Sequence, residues 1–180
     1  MTIDLDPVSA PDAYRASLLA ALGEDDPAVV QAATPTLMRE LVAEAGDLLR
    51  VVPEPGEWSV LECLAHLTDG ELIIAGRSRW ILAEDEPDIV GYDQARWISR
   101  LGQNDEDPER LLAAFEALRR WDLDLWARTP VAERSRVGIH RERGPESYEL
   151  TFRLGAGHDR IHLAQARRAL ETARGAATNA

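Results

Sequence analysis

The segment GEWSVLECLAHLTDGE, residues 56–71, contains the start signal of a long helix. A turn with proline and glycine precedes Ser59, and Glu62 completes the S-x-x-E pattern of a capping box. Leucines then recur three residues apart, so that they lie on one face of a helix. We therefore predict a helix from Ser59 to about residue 84, whose core candidates are Leu61, Leu64, Leu67 and Leu72.

Further helical patterns lie on both sides of this segment. Pro27 and Pro108 occupy positions typical of a first helical turn, whereas Pro35 predicts a break or a fresh start within its segment. A stripe at helical spacing follows Pro35 and consists of Leu37, Leu41, Ala45 and Leu48. We predict a loop with a short extended piece over residues 129–144, and helices over residues 11–22, 27–49, 92–101, 107–128 and 147–174.

These helices indicate the fold class. Four longer helices, a few short ones and almost no alternating strand pattern predict an all-α four-helix bundle. A length of 180 residues suits one domain with a sizeable core, so we treat residues 1–180 as a single domain. Within it, we expect a short leading helix over about residues 11–24 and a frayed tail at the small polar residues 175–180.

Charge and composition exclude several classes of protein. With a net charge of −12 and no lysine, the chain is expected to repel phosphate backbones, so nucleic-acid binding is not predicted. No apolar run approaches the roughly 20 residues of a membrane span, and residues 1–14 lack the features of a signal peptide. Cys63 is the only cysteine, so we predict no intrachain disulfide and a cytoplasmic location without membrane contact.

One local segment departs from the acidic character of the chain. The stretch ERSRVGIHRERG, residues 133–144, contains Arg134, Arg136, Arg141 and Arg143. We interpret it as a solvated loop. The alternative is a patch that guides a small anion toward a nearby site.

Two of the four histidines lie in GHDRIHLAQ, residues 157–165. On a helix, His158 and His162 occupy the same face and can bind one metal ion together; the alternative for the pair alone is a solvated or core-lining position. His66 follows the apolar stripe of the predicted second bundle helix, and inside a bundle it can face the last helix. The sequence therefore predicts a three-histidine metal site; the alternative is three histidines that only line the core.

The donor set indicates the chemistry of such a site. Three neutral imidazoles leave coordination positions open, which is typical of catalytic rather than structural sites. Nitrogen ligands favour zinc or nickel, with iron, copper and manganese as alternatives. Asp159 stands where H-E-x-x-H zinc proteases have glutamate, but aspartate is one methylene shorter. We therefore expect Asp159 at the surface or behind a ligand.

Three polar neighbours are candidates for support of the imidazoles. Asp69 or Glu62 could orient His66, because metal-bound histidines usually donate their second N–H to a carboxylate or carbonyl. We rank Asp69 first, since Glu62 already caps the helix. Gln165 could reach a metal-bound water or a substrate, or it could be an ordinary polar surface residue.

Four more residues have two interpretations each. Cys63 is expected to be a small buried apolar residue, with a fourth ligand or a reactive thiol as the alternative. We place His140 in an exposed loop near the mouth of the site, with a role as a metal ligand as the alternative. Gly155 and Gly157 indicate either close helix packing or a gap in the helix wall through which a ligand approaches.

Two segments, residues 56–71 and 144–165, resemble the DinB/YfiT-like superfamily of bacterial four-helix proteins. The family pattern is a tryptophan and a helix cap before one histidine, then a late helix with H-x-x-x-H. The matching residues are Trp58, Ser59, Glu62, His66, His158 and His162. The resemblance implies an up-down-down-up bundle, a divalent metal on the three histidines, and often a homodimer.

The resemblance also limits the possible functions. Members include transferases that use a low-molecular-weight thiol, presumed metal-dependent hydrolases, and proteins without known activity. We expect a metal-dependent enzyme of the thiol S-transferase kind that acts on a small-molecule substrate. The alternatives are a metal-dependent hydrolase, a non-catalytic module that binds metal or a small molecule, and a bundle that has lost its chemistry. No catalytic base is assigned.

Overall fold

The computed structural model describes residues 10–178. Within this range the chain forms six α-helices and one sheet of three short strands. The helices are α1 (Pro11–Leu22), α2 (Pro27–Ala45), α3 (Val60–Ala83), α4 (Gln94–Arg100), α5 (Pro108–Arg128) and α6 (Tyr148–Thr178). Two parts of the sequence predictions lie outside the described range. These are residues 1–9 of the segment in which no signal peptide is predicted, and residues 179–180 at the end of the predicted tail.

The predicted capping box forms at the start of α3. The hydroxyl of Ser59 accepts a hydrogen bond from the Glu62 N–H at 3.1 Å, and the Glu62 carboxylate accepts one from the Ser59 N–H at 2.8 Å. The Ser59 hydroxyl in turn donates to Asn104 Oδ1 at 2.7 Å, just before α5. These bonds satisfy backbone donors at the helix end and tie it to the segment that precedes α5.

The direction of each helix follows from its contacts. Residue numbers rise together along α3 and α5 and along α2 and α6, as in the pairs Thr68–Leu111, Ser78–Asp122, Gln31–Phe152 and Glu44–Arg174. They run in opposite senses between α3 and α6 and between α2 and α5, as in Gly70–His158, Ile74–Gly155, Gln31–Arg119 and Arg39–Glu109. The four long helices therefore form the predicted up-down-down-up bundle.

The bundle core confirms most of the predicted stripe on α3. Leu61, Leu64 and Leu67 are at most 1% exposed, whereas Leu72 is 53% exposed, so its prediction as a core residue was wrong. Leu72 lies five positions after Leu67, which rotates it away from the buried face, and Glu71 takes the inward position. On α2 the same one-residue offset exposes Leu37.

Pro35 does not break α2, contrary to the prediction. The helix continues from Pro27 to Ala45, and Pro35 is buried inside it. Proline cannot donate to the carbonyl four residues earlier, which leaves the Gln31 carbonyl without its helical partner. Arg119 on α5 donates to this carbonyl from Nη1 at 2.9 Å. A buried cation on the neighbouring helix therefore satisfies the acceptor that Pro35 leaves free.

The small sheet is the main feature missing from the prediction. Its strands are β1 (Asp88–Ile89), β2 (Val137–His140) and β3 (Gly144–Ser147), with β2 parallel to β1 and antiparallel to β3. Only β2 lies where a short extended piece was expected. Strands of two to four residues are too short to show alternation, and Pro145 in β3 argues against a strand in the sequence.

The two glycines before His158 pack closely against other helices. A Cβ at Gly157 would lie 2.0 Å from the Leu18 carbonyl oxygen of α1, and a Cβ at Gly155 would lie 3.3 Å from Ile74 Cδ1 of α3. Close packing is therefore the structural reason for Gly157, while Gly155 also borders a cavity described below.

Candidate metal centre and adjoining cavity

Three histidines converge between α3 and α6. Because these helices run antiparallel, His66 of α3 faces both His158 and His162, which are one turn apart on α6. The Nε2 atoms of His66 and His158 are 2.9 Å apart, and one ring nitrogen from each of the three residues lies within 4.8 Å of the others. The structure thus brings together the three predicted residues; their role as metal ligands stays a prediction.

The protonation state of the cluster suits a cation. His66 and His162 are buried and His158 is half-buried. Burial lowers the pKa of all three imidazoles, that of His158 to about 4, because a charged ring loses its hydration. Neutral imidazoles are the form that binds metal, at about 2.0–2.1 Å for zinc. The donor set therefore fits one divalent ion.

Gln165 and Trp58 hold the imidazoles in place. His162 Nδ1 lies 2.9 Å from Gln165 Oε1. Since an amide oxygen only accepts, Nδ1 carries the proton and Nε2 is left for a ligand role. The Trp58 ring stacks on His162, with 5.8 Å between ring centroids, and contacts His66, with 4.9 Å between ring centroids. The observed contact of Gln165 is thus with an imidazole, three residues before it on the same helix.

The two carboxylates that we expected to orient His66 form hydrogen bonds with other groups. Asp69 accepts a hydrogen bond from the side chain of Gln103, and Glu62 caps α3. The prediction that Asp69 orients His66 therefore finds no hydrogen bond to support it. Over residues 10–178, no carboxylate hydrogen-bonds to any of the three imidazoles.

The remaining two candidates lie outside the cluster. Cys63 is fully buried in the bundle core, and burial raises the pKa of its thiol, so it is the inert apolar residue that was expected. His140 is 1% exposed on β2 instead of lying in an exposed loop. Its Nδ1 accepts from the Glu142 N–H at 3.3 Å. Burial, with smaller effects of Arg143 and Arg77, lowers the pKa of His140 to about 4.

A buried ionic cluster lies behind the histidines and was missed by sequence analysis. Arg119 of α5 contacts Glu71 Oε2 at 2.7 Å and donates from Nη2 to Asp159 Oδ1 at 3.0 Å. Thr34 of α2 donates to Asp159 Oδ2 at 2.8 Å. Arg119, Glu71 and Asp159 are each at most 2% exposed. The predicted surface position of Asp159 is wrong, because Asp159 is buried and bound to Arg119; the alternative, a position behind a metal ligand, stays a prediction.

The cluster contains more negative than positive charge. Asp122, also fully buried, pairs with Arg79 at 3.2 Å, so that Glu71, Asp122 and Asp159 share the two arginines Arg79 and Arg119. Burial raises the pKa of Glu71 to about 7, together with the charges of Asp159 and Asp122 and against the opposing effect of Arg119. One proton on Glu71 balances the cluster.

This proton makes stability depend on pH. The pKa of the Glu71 carboxyl is about 7 in the folded protein and near its ordinary value of 4.5 in the unfolded chain, so the folded state binds the extra proton between these values. The contribution of Glu71 to the free energy of unfolding therefore falls as pH rises from about 4.5 to 7, on the order of 1–3 kcal/mol. Urea unfolding of wild type and Glu71→Gln across this range measures the difference. The exposed Glu149→Gln is the control, and parallel curves for wild type and Glu71→Gln would contradict the assignment.

A cavity opens directly beside His158. Its lining includes residues from α3, α6 and the connection around the sheet, among them Arg77, Tyr92, Arg143, Thr151, Gly155 and His158. Gly70 leaves room at its wall, because a Cβ there would lie 3.4 Å from His158 Cε1 and 3.8 Å from the Tyr92 hydroxyl. The candidate metal centre is thus open to a cavity on its His158 side.

Neither interpretation of the arginine-rich segment, residues 133–144, holds for all four of its arginines. Arg143 lines this cavity and forms a two-bond ion pair with Glu146, at 2.6 and 3.0 Å. Arg134 stacks on Trp126, and Arg136 donates to backbone carbonyls at the end of α3. Arg141 is exposed beside Asp88. The segment as a whole is therefore structural, and one of its four arginines reaches the cavity.

None of the helices within residues 10–178 combines the length and apolarity needed to cross a membrane.

Comparisons with known proteins agree with this fold. YfiT from Bacillus subtilis, reported as "a probable metal-dependent hydrolase with an unusual four-helix bundle topology", superposes with a TM-score of 0.75. It is 22% identical, and the match covers 84% of this chain and 86% of YfiT, so it shows the shared fold. No curated protein matches the sequence significantly. A family model for the DinB superfamily matches residues 30–166, which include the three histidines. The chain belongs to the DinB superfamily.

Proposed function

We propose that the protein is a divalent-metal-dependent enzyme that transfers a low-molecular-weight thiol to an electrophilic small molecule. The observation that carries the proposal is the convergence of three neutral imidazoles beside a cavity, with no carboxylate hydrogen-bonded to them in residues 10–178. When bound, a divalent ion would supply a Lewis acid that makes a thiol or a water nucleophilic near neutral pH.

Within residues 10–178 no carboxylate is hydrogen-bonded to the imidazoles, and this favours a thiol over a water. A positioned group that removes a proton from water accelerates hydrolysis, whereas a thiol has a lower pKa and loses its proton more readily. The protein has no accessible thiol of its own, because Cys63 is fully buried. The sulfur would therefore come from a second substrate, and the electrophile would occupy the cavity beside His158.

The chain's own residues have defined roles in this proposal. His66, His158 and His162 would hold the ion, and Gln165 fixes the proton of His162 on Nδ1. Trp58 covers the side of His66 and His162, which limits access of water there. The cavity borders the half-buried His158, so substrates would approach from that side.

A metal-dependent hydrolase is the second candidate. It is favoured by the structural likeness to YfiT, which is reported as a probable hydrolase. In this case a base outside hydrogen-bond contact with the imidazoles would have to act, and Asp69, bound to Gln103, is not free for that task.

The test compares both reactions on the same metal-loaded protein. Glutathione, bacillithiol and mycothiol are each supplied with 1-chloro-2,4-dinitrobenzene. A C–S bond forms, the C–Cl bond breaks, chloride leaves with the electron pair and the thiol proton goes to solvent. Ester, amide and phosphoester panels are measured in parallel.

We expect turnover with at least one thiol, its loss in His158→Ala, and its retention in Cys63→Ala, because the internal thiol is buried. Hydrolysis of a panel compound without thiol transfer would favour the second candidate. Metal-loaded protein that neither turns over nor binds any of the three thiols would overturn the proposal.

A further inference from the structure

We propose that the cavity beside His158 binds a carboxylate of the substrate, and that Arg77 and Thr151 recognise this group. The inference rests on the proposed function, because it assigns the substrate class of the same site. It is carried by two buried polar side chains that line the cavity, each of which has one polar atom without a hydrogen-bond partner.

Arg77 is the first of these side chains. It extends from α3, is 9% exposed and lines the cavity. Its Nη2 donates to the Val90 carbonyl at 3.0 Å, but its buried Nε has no hydrogen-bond partner. Within residues 10–178, no carboxylate forms an ion pair with it. Because a buried guanidinium without an anion is costly, its position indicates an anionic partner that arrives from outside.

Thr151 is the second. It lies on α6, two turns before His158, is 4% exposed, and its hydroxyl has no hydrogen-bond partner. It lines the same cavity as Arg77. A hydroxyl and a guanidinium that face one cavity can together donate to the two oxygens of a carboxylate. Tyr14 and Tyr92 line the cavity too.

The charge of the lining favours a monoanion. Arg143 is neutralised by its two-bond pair with Glu146, and the other acidic residue at the cavity, Glu142, is exposed. The buried part thus has one positive charge in excess, that of Arg77. A carboxylate balances it, whereas a phosphate dianion would add a negative charge next to Glu146.

The size of the cavity suits a small organic acid. Its volume is about 90 Å³, several times the roughly 10–15 Å³ that one water molecule needs. A carboxylate bound at Arg77 would leave the rest of a short carbon chain in the same cavity, which is bordered by Ile73, Ile74 and His158. The substrate class is therefore a small carboxylic acid with its reactive carbon directed to the histidines.

The experiment measures binding instead of turnover. Butyrate, its uncharged amide butyramide and inorganic phosphate are titrated into the metal-loaded full chain and followed by NMR chemical shifts. We expect butyrate to bind at least about tenfold more tightly than either of the others, since a charge-assisted bond is replaced by weaker ones. Equal affinity for butyrate and butyramide would overturn the proposal.

Variants then identify the residues. Arg77→Gln should weaken butyrate binding about 10- to 100-fold and leave butyramide binding unchanged, with metal content as in wild type. Thr151→Val should weaken it about 3- to 10-fold without lowering the melting temperature, because it removes an unpartnered hydroxyl. Arg141→Gln, an exposed arginine near the same sheet, is the matched control and should bind butyrate as wild type does.

The remaining outcomes are separable. If Arg77→Gln does not fold, the acid–amide comparison on wild type and Thr151→Val still decides. If chelation abolishes butyrate binding while Arg77→Gln retains it, the anion binds the metal and the proposal is wrong. Butyrate binding that depends on Arg77 in a protein without thiol transfer or hydrolysis would support the anion site and overturn the proposed function.

Discussion

Wild-type protein purified without chelators is expected to contain about one divalent metal ion per chain, and His158→Ala protein is expected to contain none. Removal of one of three ligands leaves two imidazoles, which do not hold an ion through purification. Elemental analysis measures the content. With metal at about 1,000 times its dissociation constant, the bound ion stabilises the fold by about 4 kcal/mol. This corresponds to a rise in melting temperature of about 8–16 °C for a chain of this length.

The matched control is His140→Gln, which changes a buried histidine outside the cluster. It should retain the metal and the metal-dependent rise in melting temperature, even if its own stability is lower. A wild-type protein that carries no metal, with a melting temperature unchanged by added zinc or nickel, would mean that His66, His158 and His162 only line the core.

Arg119→Met is expected to destabilise the protein by about 3–5 kcal/mol. The substitution keeps the volume of the side chain but leaves Glu71 and Asp159 as buried carboxylates without their cation, and it leaves the Gln31 carbonyl without its donor. The free energy of unfolding in urea measures the loss, and the melting temperature should fall by about 6–20 °C.

Two further variants separate charge from packing. Arg120→Met, at the exposed neighbouring position, should change stability by no more than about 0.5 kcal/mol. In the Arg119→Met background, Glu71→Gln with Asp159→Asn should recover most of the lost stability, since the stranded charges are gone. Recovery of none of it would show that the cost lies in packing instead of the ionic cluster.

The sequence predicted those parts of the fold that depend on neighbouring residues. The start of α3 follows from Ser59 and Glu62 alone, because both halves of the capping box lie within one turn. The predictions for Leu72 and Pro35 were wrong, because tertiary contacts and not local sequence patterns decide these two positions. A leucine one position off the stripe is exposed, and a proline inside a helix is tolerated because Arg119 satisfies the freed carbonyl.

The candidate site, like the fold, was predicted only in part. The spacing of His158 and His162 places both on one face of any helix, and an antiparallel bundle partner can bring in His66. The supporting residues were harder to assign, because Asp69, Gln103 and Gln165 offer similar polar groups in the sequence. In the sequence, Arg119 resembles an ordinary charged residue of an amphipathic helix, and the adjacent residues do not indicate that it is buried.

The sequence by itself therefore determined the helices, the bundle class and the three histidines, since periodicity, caps and i, i+4 spacing act over a few residues. Only the tertiary structure decided the ionic cluster and the cavity. Arg119 and Asp159 are 40 positions apart, and Thr34 and Asp159 are 125 apart. Whether such groups come into contact depends on how whole helices pack. The low dielectric of the interior then makes the electrostatic energy of each contact large.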